Sequence, residues 1–391
     1  MWNCLAMRKY TQFFIYSLLF FVPVVCIGQA DNVDYSKMIS IKVSADGQDD
    51  LAGLVEDYKY IRLETTPESI ISNLDKILYQ SGKFYILDAK AQVLFIFDKE
   101  GKFISKIERA GQGPGEYIYL MDFDIDSLGN IYLLDLNRKA ILKYDQNGKF
   151  EKKHQLNHYM ANIAIMDPST ILTYQNVALS SEVSHKLTVF KNGELVNSFL
   201  PIPKHNRITL LKPFSLTHSG GRVLFNADLS DTIFSVSSHA LEARYFLDFG
   251  KYAISPKQRS NHEYFTQPNR KVVEGHRINN CFETADYFTC TYNLQGKTWS
   301  LYYSLKDKTT YVSYCTDCDG TKQKVINDFR AIGVCGDYFI GYLQTHMIEK
   351  YKAGIKGKPA RMAALIGKDN MDFIESLDLY DNPVLVLYKM K

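Results

Sequence analysis

Two stretches of the chain repeat one pattern of apolar runs and polar turns. The first reads Gly82-Lys-Phe-Tyr-Ile-Leu-Asp88, then Leu94-Phe-Ile-Phe-Asp98, then Gly101-Lys-Phe103. The second reads Gly129-Asn-Ile-Tyr-Leu-Leu-Asp135, then Leu142-Lys-Tyr-Asp145, then Gly148-Lys-Phe150. Asp88 and Asp135, Asp98 and Asp145, and Gly101 and Gly148 each stand 47 residues apart. Three anchors at one shift mark a repeat, and a period in the forties with several short strands per unit is that of a β-propeller blade. The apolar run Ile131-Tyr-Leu-Leu134 suits a strand covered on both faces, whereas Leu142-Lys-Tyr144 alternates as a more exposed strand does. The clusters Asp126-Ser-Leu-Gly-Asn130 and Asp145-Gln-Asn-Gly148 supply turn residues between them.

Weaker copies extend the series. Leu187-Thr-Val-Phe190 leads into Asn192-Gly193, with Gly193 45 residues after Gly148. Arg222-Val-Leu-Phe225 with Asp231-Thr-Ile-Phe234 makes a fourth unit. Tyr287-Phe-Thr289 with Trp299-Ser-Leu-Tyr-Tyr303 makes a fifth. Asp337-Tyr-Phe-Ile340 opens a sixth, completed by Pro383-Val-Leu-Val-Leu-Tyr388. Tyr60-Ile-Arg-Leu63 has no local partner and is expected to supply the outer strand of the last blade. The expected fold is all-β: a six-bladed β-propeller of four-stranded antiparallel blades, closed by an N-terminal strand. Two insertions interrupt it, at about 251–277 and about 345–381. The second contains Met347-Ile-Glu-Lys-Tyr351 and Ala360-Arg-Met-Ala-Ala-Leu365, which read as helical by propensity. Both insertions are expected over one end of the propeller.

Composition agrees with strands and narrows the partners. Tyrosine (27) and phenylalanine (23) are abundant, as strands favour, and tryptophan (2) is scarce. A net charge of +3 over 391 residues gives no basis for nucleic-acid binding, which needs clustered Lys and Arg.

Arg8 and Lys9 precede the apolar run Phe13 to Val25, followed by the small residues Gly28 and Ala30. This reads as a secretory signal over residues 1–30, too short to span a bilayer comfortably. Cys26 offers a lipid anchor as an alternative, although Pro23-Val-Val25 lacks the small residue such a site prefers. Met7 is an alternative start to Met1. Residues 31–57 then form a lead-in and 58–391 the propeller.

Candidate chemistry is sparse. The loop Gly111-Gln-Gly-Pro-Gly-Glu-Tyr117 joins the first unit to the second. It is either a ligand face presenting Arg109, Gln112, Glu116 and Tyr117, or a connector whose glycines permit close backbone approach. Pro114 and the β context argue against a dinucleotide fingerprint. Asp88 and Asp135 end equivalent strands, with Lys90 and Arg138 just after. Such carboxylates either face a ligand in the channel or cap turns through backbone N–H groups. Asp122-Phe-Asp-Ile-Asp126 fails the calcium-loop pattern, since Ser127 and Leu133 stand where Gly and Glu are needed, and reads as strand alternation. Cys281, Cys290, Cys315, Cys318 and Cys335 follow the signal, and a Cys315–Cys318 disulfide is the leading pairing, with free thiols the alternative. The nine histidines show no metal or triad spacing. No cofactor or metal is expected.

Ile61-Arg-Leu-Glu64, the Gly111 to Tyr117 loop, the blade core ending at Tyr132 and Asn382-Pro-Val-Leu-Val386 together resemble the six-bladed β-propellers exported by Bacteroides-type bacteria, a group related to the NHL-repeat propellers. The resemblance covers essentially the whole mature chain, is strongest from about Tyr60 to Phe150, and implies fold and export. NHL propellers include binding scaffolds and a few lyases, so three functions stay open. The first is a monomer that binds a small molecule, glycan, peptide or partner protein at one mouth of the channel. The second is a lyase or hydrolase, for which His185, His218, His276 or His346 would have to converge with Asp or Glu. The third is a structural part of a cell-surface assembly.

Overall fold

The computed structural model describes residues 33–44, 49–175, 185–202, 215–259, 274–314 and 329–391. The segment read as a secretory signal and the Cys315–Cys318 pair lie outside the described residues. Six sheets of antiparallel strands follow one another along the chain. Blade one is Lys76–Gln80, Lys83–Asp88, Val93–Asp98 and Phe103–Ile107. Blade two is Leu120–Ile125, Ile131–Asp135, Ala140–Tyr144 and Phe150–Gln155. Blade three is Asn162–Asp167, Thr170–Tyr174, His185–Lys191 and Glu194–Pro201. Blade four is Leu216–Ser219, Arg222–Asn226, Thr232–Val236 and Leu241–Asp248. Blade five is His276–Glu283, Tyr287–Leu294, Lys297–Ser304 and Thr310–Tyr314. Blade six takes Gly333–Cys335, Tyr338–Leu343 and Val384–Met390 from the end of the chain and Val55–Arg62 from its beginning.

The first strand of each blade touches the first strands of both neighbours, and the sixth meets the first, so the inner strands form a closed ring. Between blades the strands bury apolar faces. Tyr85, Leu87 and Ile96 of blade one meet Phe123, Leu133 and Tyr144 of blade two in one buried cluster. Phe84 and Phe95 meet Ile340 and Leu385 of blade six in another. The nearly continuous apolar runs of the sequence are therefore strands covered on both faces.

Blade four departs from the four-stranded plan. Val33–Asp34 and Ile39–Lys42 add in parallel to its outer strand, covering an edge whose backbone groups would otherwise be unpaired. The second insertion is three helices, Ile348–Gly357, Pro359–Ile366 and Lys368–Glu375, set between the second and third strands of blade six. Their buried Ile348, Ile355, Met362 and Ile374 join Tyr58, Tyr302 and Tyr388 in one core. The described part of the first insertion has a short turn, Gly250–Tyr252, and one helical turn, Pro256–Arg259.

The seam between blades six and one needs a glycine. Gly101 has φ +86°, and a Cβ there would stand 2.3 Å from the Arg62 carbonyl oxygen. The Gly101 carbonyl in turn accepts a 2.8 Å hydrogen bond from Glu64 N–H. Gly82, on the same blade at φ +77°, would meet nothing within 4 Å. Gly101→Ala is therefore expected to cost about 3 kcal/mol and Gly82→Ala about 1 kcal/mol. Thermal unfolding of the two variants checks this, and equal losses would show that the seam has room to spare.

Candidate functional site

The residues singled out in the connectors serve the connectors. Asp88 accepts hydrogen bonds from Ser72 N–H and Oγ (2.8 and 2.6 Å), Asn73 N–H (2.9 Å) and Ala91 N–H (2.8 Å). Asp135 does the same one blade on, for Ile118 N–H (2.8 Å), Tyr119 N–H (3.2 Å) and Arg138 N–H (3.1 Å). Each aspartate thus fixes the strand entry of its own blade. These contacts hold the Asp88 carboxyl below the usual carboxylate range despite its burial.

The Gly111 to Tyr117 loop is tied from within and from below. Arg138 donates to the carbonyls of Glu116 (2.7 Å), Gly111 (3.1 Å) and Gly113 (3.4 Å). Glu116 Oε2 accepts from Gly113 N–H at 2.6 Å. Tyr117 is fully buried, its hydroxyl donating to Gln92 O at 2.5 Å and accepting from Arg109 N–H at 3.1 Å. Arg109 is exposed, reaches Gly148 O at 3.1 Å and lies over the Tyr144 ring. Gln112 is exposed. Of the set, Arg109, Gln112 and the rim of the loop face solvent, and the other side chains hold backbone.

A different cluster gathers on the axis. Asp122 and Asp124 sit two apart on the inner strand of blade two, both 1% exposed. Lys76, the first inner-strand residue of blade one, donates to Asp122 Oδ1 at 2.7 Å and to Phe123 O at 2.8 Å. Blade three supplies Ile163 N–H and Asn162 Nδ2 to Asp122 Oδ2, at 2.9 and 3.2 Å, and Ile165 N–H to Asp124 Oδ2. From blade four, His218 Nε2 reaches past blade three to Asp124 Oδ2 at 2.7 Å. Asp124 Oδ1 is buried and finds no donor among the described residues. Asp126, next in the alternation, instead caps the hairpin through Leu128 and Asn130 N–H, each at 2.9 Å.

Lys76 and His218 line an axial cavity with Ile77, Ile163, Thr217, Phe282 and Ile332, residues from blades one, three, four and five and from the connector into blade six. It has room for about one water molecule. The His218 side chain is 37% exposed, while Asp124 beside it is 1% exposed. Burial opposes the charge on His218, but the Asp124 carboxylate prevails and raises its pKa. Burial likewise pushes Asp124 up, yet His218 wins and the carboxyl ends lower than usual. At Asp122 burial prevails over Lys76, so its pKa is raised. Among the described residues, no three His, Cys, Asp or Glu side chains gather as metal ligands would.

Of the other histidines, His185 opens the third strand of blade three, His276 opens the inner strand of blade five and His346 is exposed beside the helices. His218 of the four meets the Asp124 carboxylate on the axis. Cys281 and Cys290 are buried and Cys335 half-buried, none of them in a disulfide.

The imidazole sets a pH dependence. A folded-state pKa above the unfolded 6.5 gives stability that is complete below about pH 6.5 and lost as pH rises through the folded value. The lowered Asp124 works at the other limit, its share lost only as pH falls below the unfolded 3.8. The thermal midpoint of the wild type is expected to fall between about pH 6 and pH 9 more steeply than that of His218→Gln. Parallel profiles for the two proteins would contradict the pairing.

The fold matches known structures. A protein of Bacteroides fragilis named as exported has a TM-score of 0.71 at 17% identity, over 90% of this chain and 99% of that one. At that identity the likeness speaks for fold. A member of the DUF4221 family from Bacteroides vulgatus gives a TM-score of 0.48 at 10% identity, over 86% and 97% of the two chains. Virginiamycin B lyase from Staphylococcus aureus gives 0.39 at 9% identity, over 73% and 94%. No curated protein matches the sequence. The model of one family, described as a domain of unknown function, DUF4934, matches residues 37–389, and the chain belongs to that family.

Proposed function

We propose that the protein is an exported binding propeller whose ligand, a glycan, a peptide or a partner protein, offers a polar group to His218 at the mouth of the channel. The observation that carries this reading is the His218–Asp124 pair. An imidazole 37% exposed on its own side is held by a buried carboxylate, which fixes the ring and keeps a charge at the axis. The cavity beneath takes about one water, so a ligand meets this group at the rim with one substituent rather than by entering whole. Export is supported by the basic flank and apolar run before residue 30, with lipidation at Cys26 as its alternative form. It is supported also by the likeness to the B. fragilis protein named as exported. No helix among the described residues is long and apolar enough to cross a membrane.

The same pair favours a second reading, a lyase or hydrolase, because a carboxylate-oriented imidazole is the arrangement of a general base. The two are separated by one experiment. Glycan and peptide arrays are probed with the mature protein and with His218→Gln, and each ligand found is incubated with both and followed for turnover. A binding propeller gives a ligand held unchanged by the wild type and at least tenfold more weakly by the variant. Turnover that disappears in His218→Gln moves the protein to the enzyme reading, and undiminished binding by the variant removes His218 from the site.

A further inference from the structure

We infer that the cleft between blades four and five, at the end where the first hairpin of each blade turns, is an oxyanion site built on Arg222. The inference stands apart from the His218 reading, because it uses other residues and another cleft.

Glu283, the last residue of the blade five inner strand, is 4% exposed and already satisfied. Arg244 grips it with both ends of its fork, Nε to Oε2 at 2.5 Å and Nη2 to Oε1 at 2.6 Å. Tyr245 donates its hydroxyl to Oε2 at 2.5 Å. One guanidinium already neutralises this carboxylate, and a second stands beside it. Arg222 Nε is 3.8 Å from Glu283 Oε1, too far for a hydrogen bond. Nε is buried and has no acceptor, and no side-chain hydrogen bond of Arg222 occurs among the described residues. The cleft therefore carries one positive charge more than it uses. Glu283 alone stands between the two guanidinium groups, and the planar fork of Arg222 matches a further carboxylate, sulfate or phosphate ester.

The approach is open. The turn before Arg222 is Gly220-Gly221, both with positive φ (+57° and +74°), and a Cβ at Gly221 would meet nothing within 4 Å. At Gly220 a Cβ would stand 3.0 Å from Glu283 Oε1, so the turn passes directly over the carboxylate without a side chain. Ser219 below it donates to Glu283 O at 2.7 Å, which fixes the turn relative to blade five. The arrangement is a rigid floor of Glu283, Arg244 and Tyr245, with Arg222 as the free arm.

The test is calorimetric titration of the mature protein with galacturonate, galactose 6-sulfate and inorganic phosphate, with neutral galactose as control. At least one anion is expected to bind at millimolar concentration or better and galactose not at all. Arg222→Gln is expected to weaken that binding at least tenfold. Because the Arg222 side chain makes no hydrogen bond among the described residues, this variant should keep the wild-type thermal midpoint. Preference for galacturonate identifies a carboxylate source and preference for the sulfate or phosphate an ester. His218→Gln should bind the anion as the wild type does. Absence of anion binding to the wild type, or equal binding by Arg222→Gln, would overturn the site.

Discussion

Two carboxylates buried on one inner strand constrain the centre of this propeller. Asp122 and Asp124 lie where the inner strands converge, and a buried charge is tolerated only when paired and hydrogen-bonded. Their partners come from three other blades: Lys76 from blade one, the backbone of Ile163 and Ile165 from blade three, His218 from blade four. Apolar contacts between blades tolerate small slides, whereas an ion pair at 2.7 Å does not. The polar axis therefore fixes the relative height of four blades, and the apolar clusters fill the wedges between them. With His218 protonated, two positive and two negative groups balance.

Chemistry sits where this constraint leaves something over. At the connector end, polar side chains that look available in sequence are consumed in holding backbone, as with Asp88, Asp135 and Arg138. At the hairpin end, two groups are not consumed. His218 spends one ring nitrogen on Asp124 and keeps an exposed face, and Arg222 stands beside a carboxylate that another arginine has already taken. Both belong to the first hairpin of blade four, His218 turned to blade two across the axis and Arg222 to blade five. The blade four hairpin thus presents an exposed imidazole face and, at Arg222, a charge that no side-chain hydrogen bond among the described residues uses.

The fold was legible because its signals are local and repeated. The 47-residue shift placed blades one and two, and the turn residues around Gly82, Gly101, Gly129 and Gly148 marked their hairpins. Met347 to Tyr351 and Ala360 to Leu365 fall in or beside the observed helices for the same reason, since propensity acts within a few residues. The site was not legible, because its partners are distant in sequence: Lys76 and Asp122 are 46 residues apart, His218 and Asp124 94. Asp122 and Asp124 alternate on the inner strand Leu120–Ile125, and Asp126 follows it in the hairpin. What alternation could not convey is that an inner strand has no solvent face, so Asp122 and Asp124 need a cation or backbone donors from another blade. Three acidic residues at alternate positions of a strand destined for the axis were the available signal. The extra parallel strands on blade four escaped for a related reason: Val33–Asp34 and Ile39–Lys42 are too short to announce themselves, and their partner lies about 200 residues away.

The claim that the axial charges join the blades is tested most directly by a double-mutant cycle on Lys76→Met and Asp122→Leu, read by chemical or thermal unfolding. Each single change leaves an unpaired buried charge and should cost about 3–5 kcal/mol, and the double change, which removes both, should restore most of that loss. Losses that simply add would mean that the two side chains do not depend on each other, and the account of a charge-locked axis would be wrong.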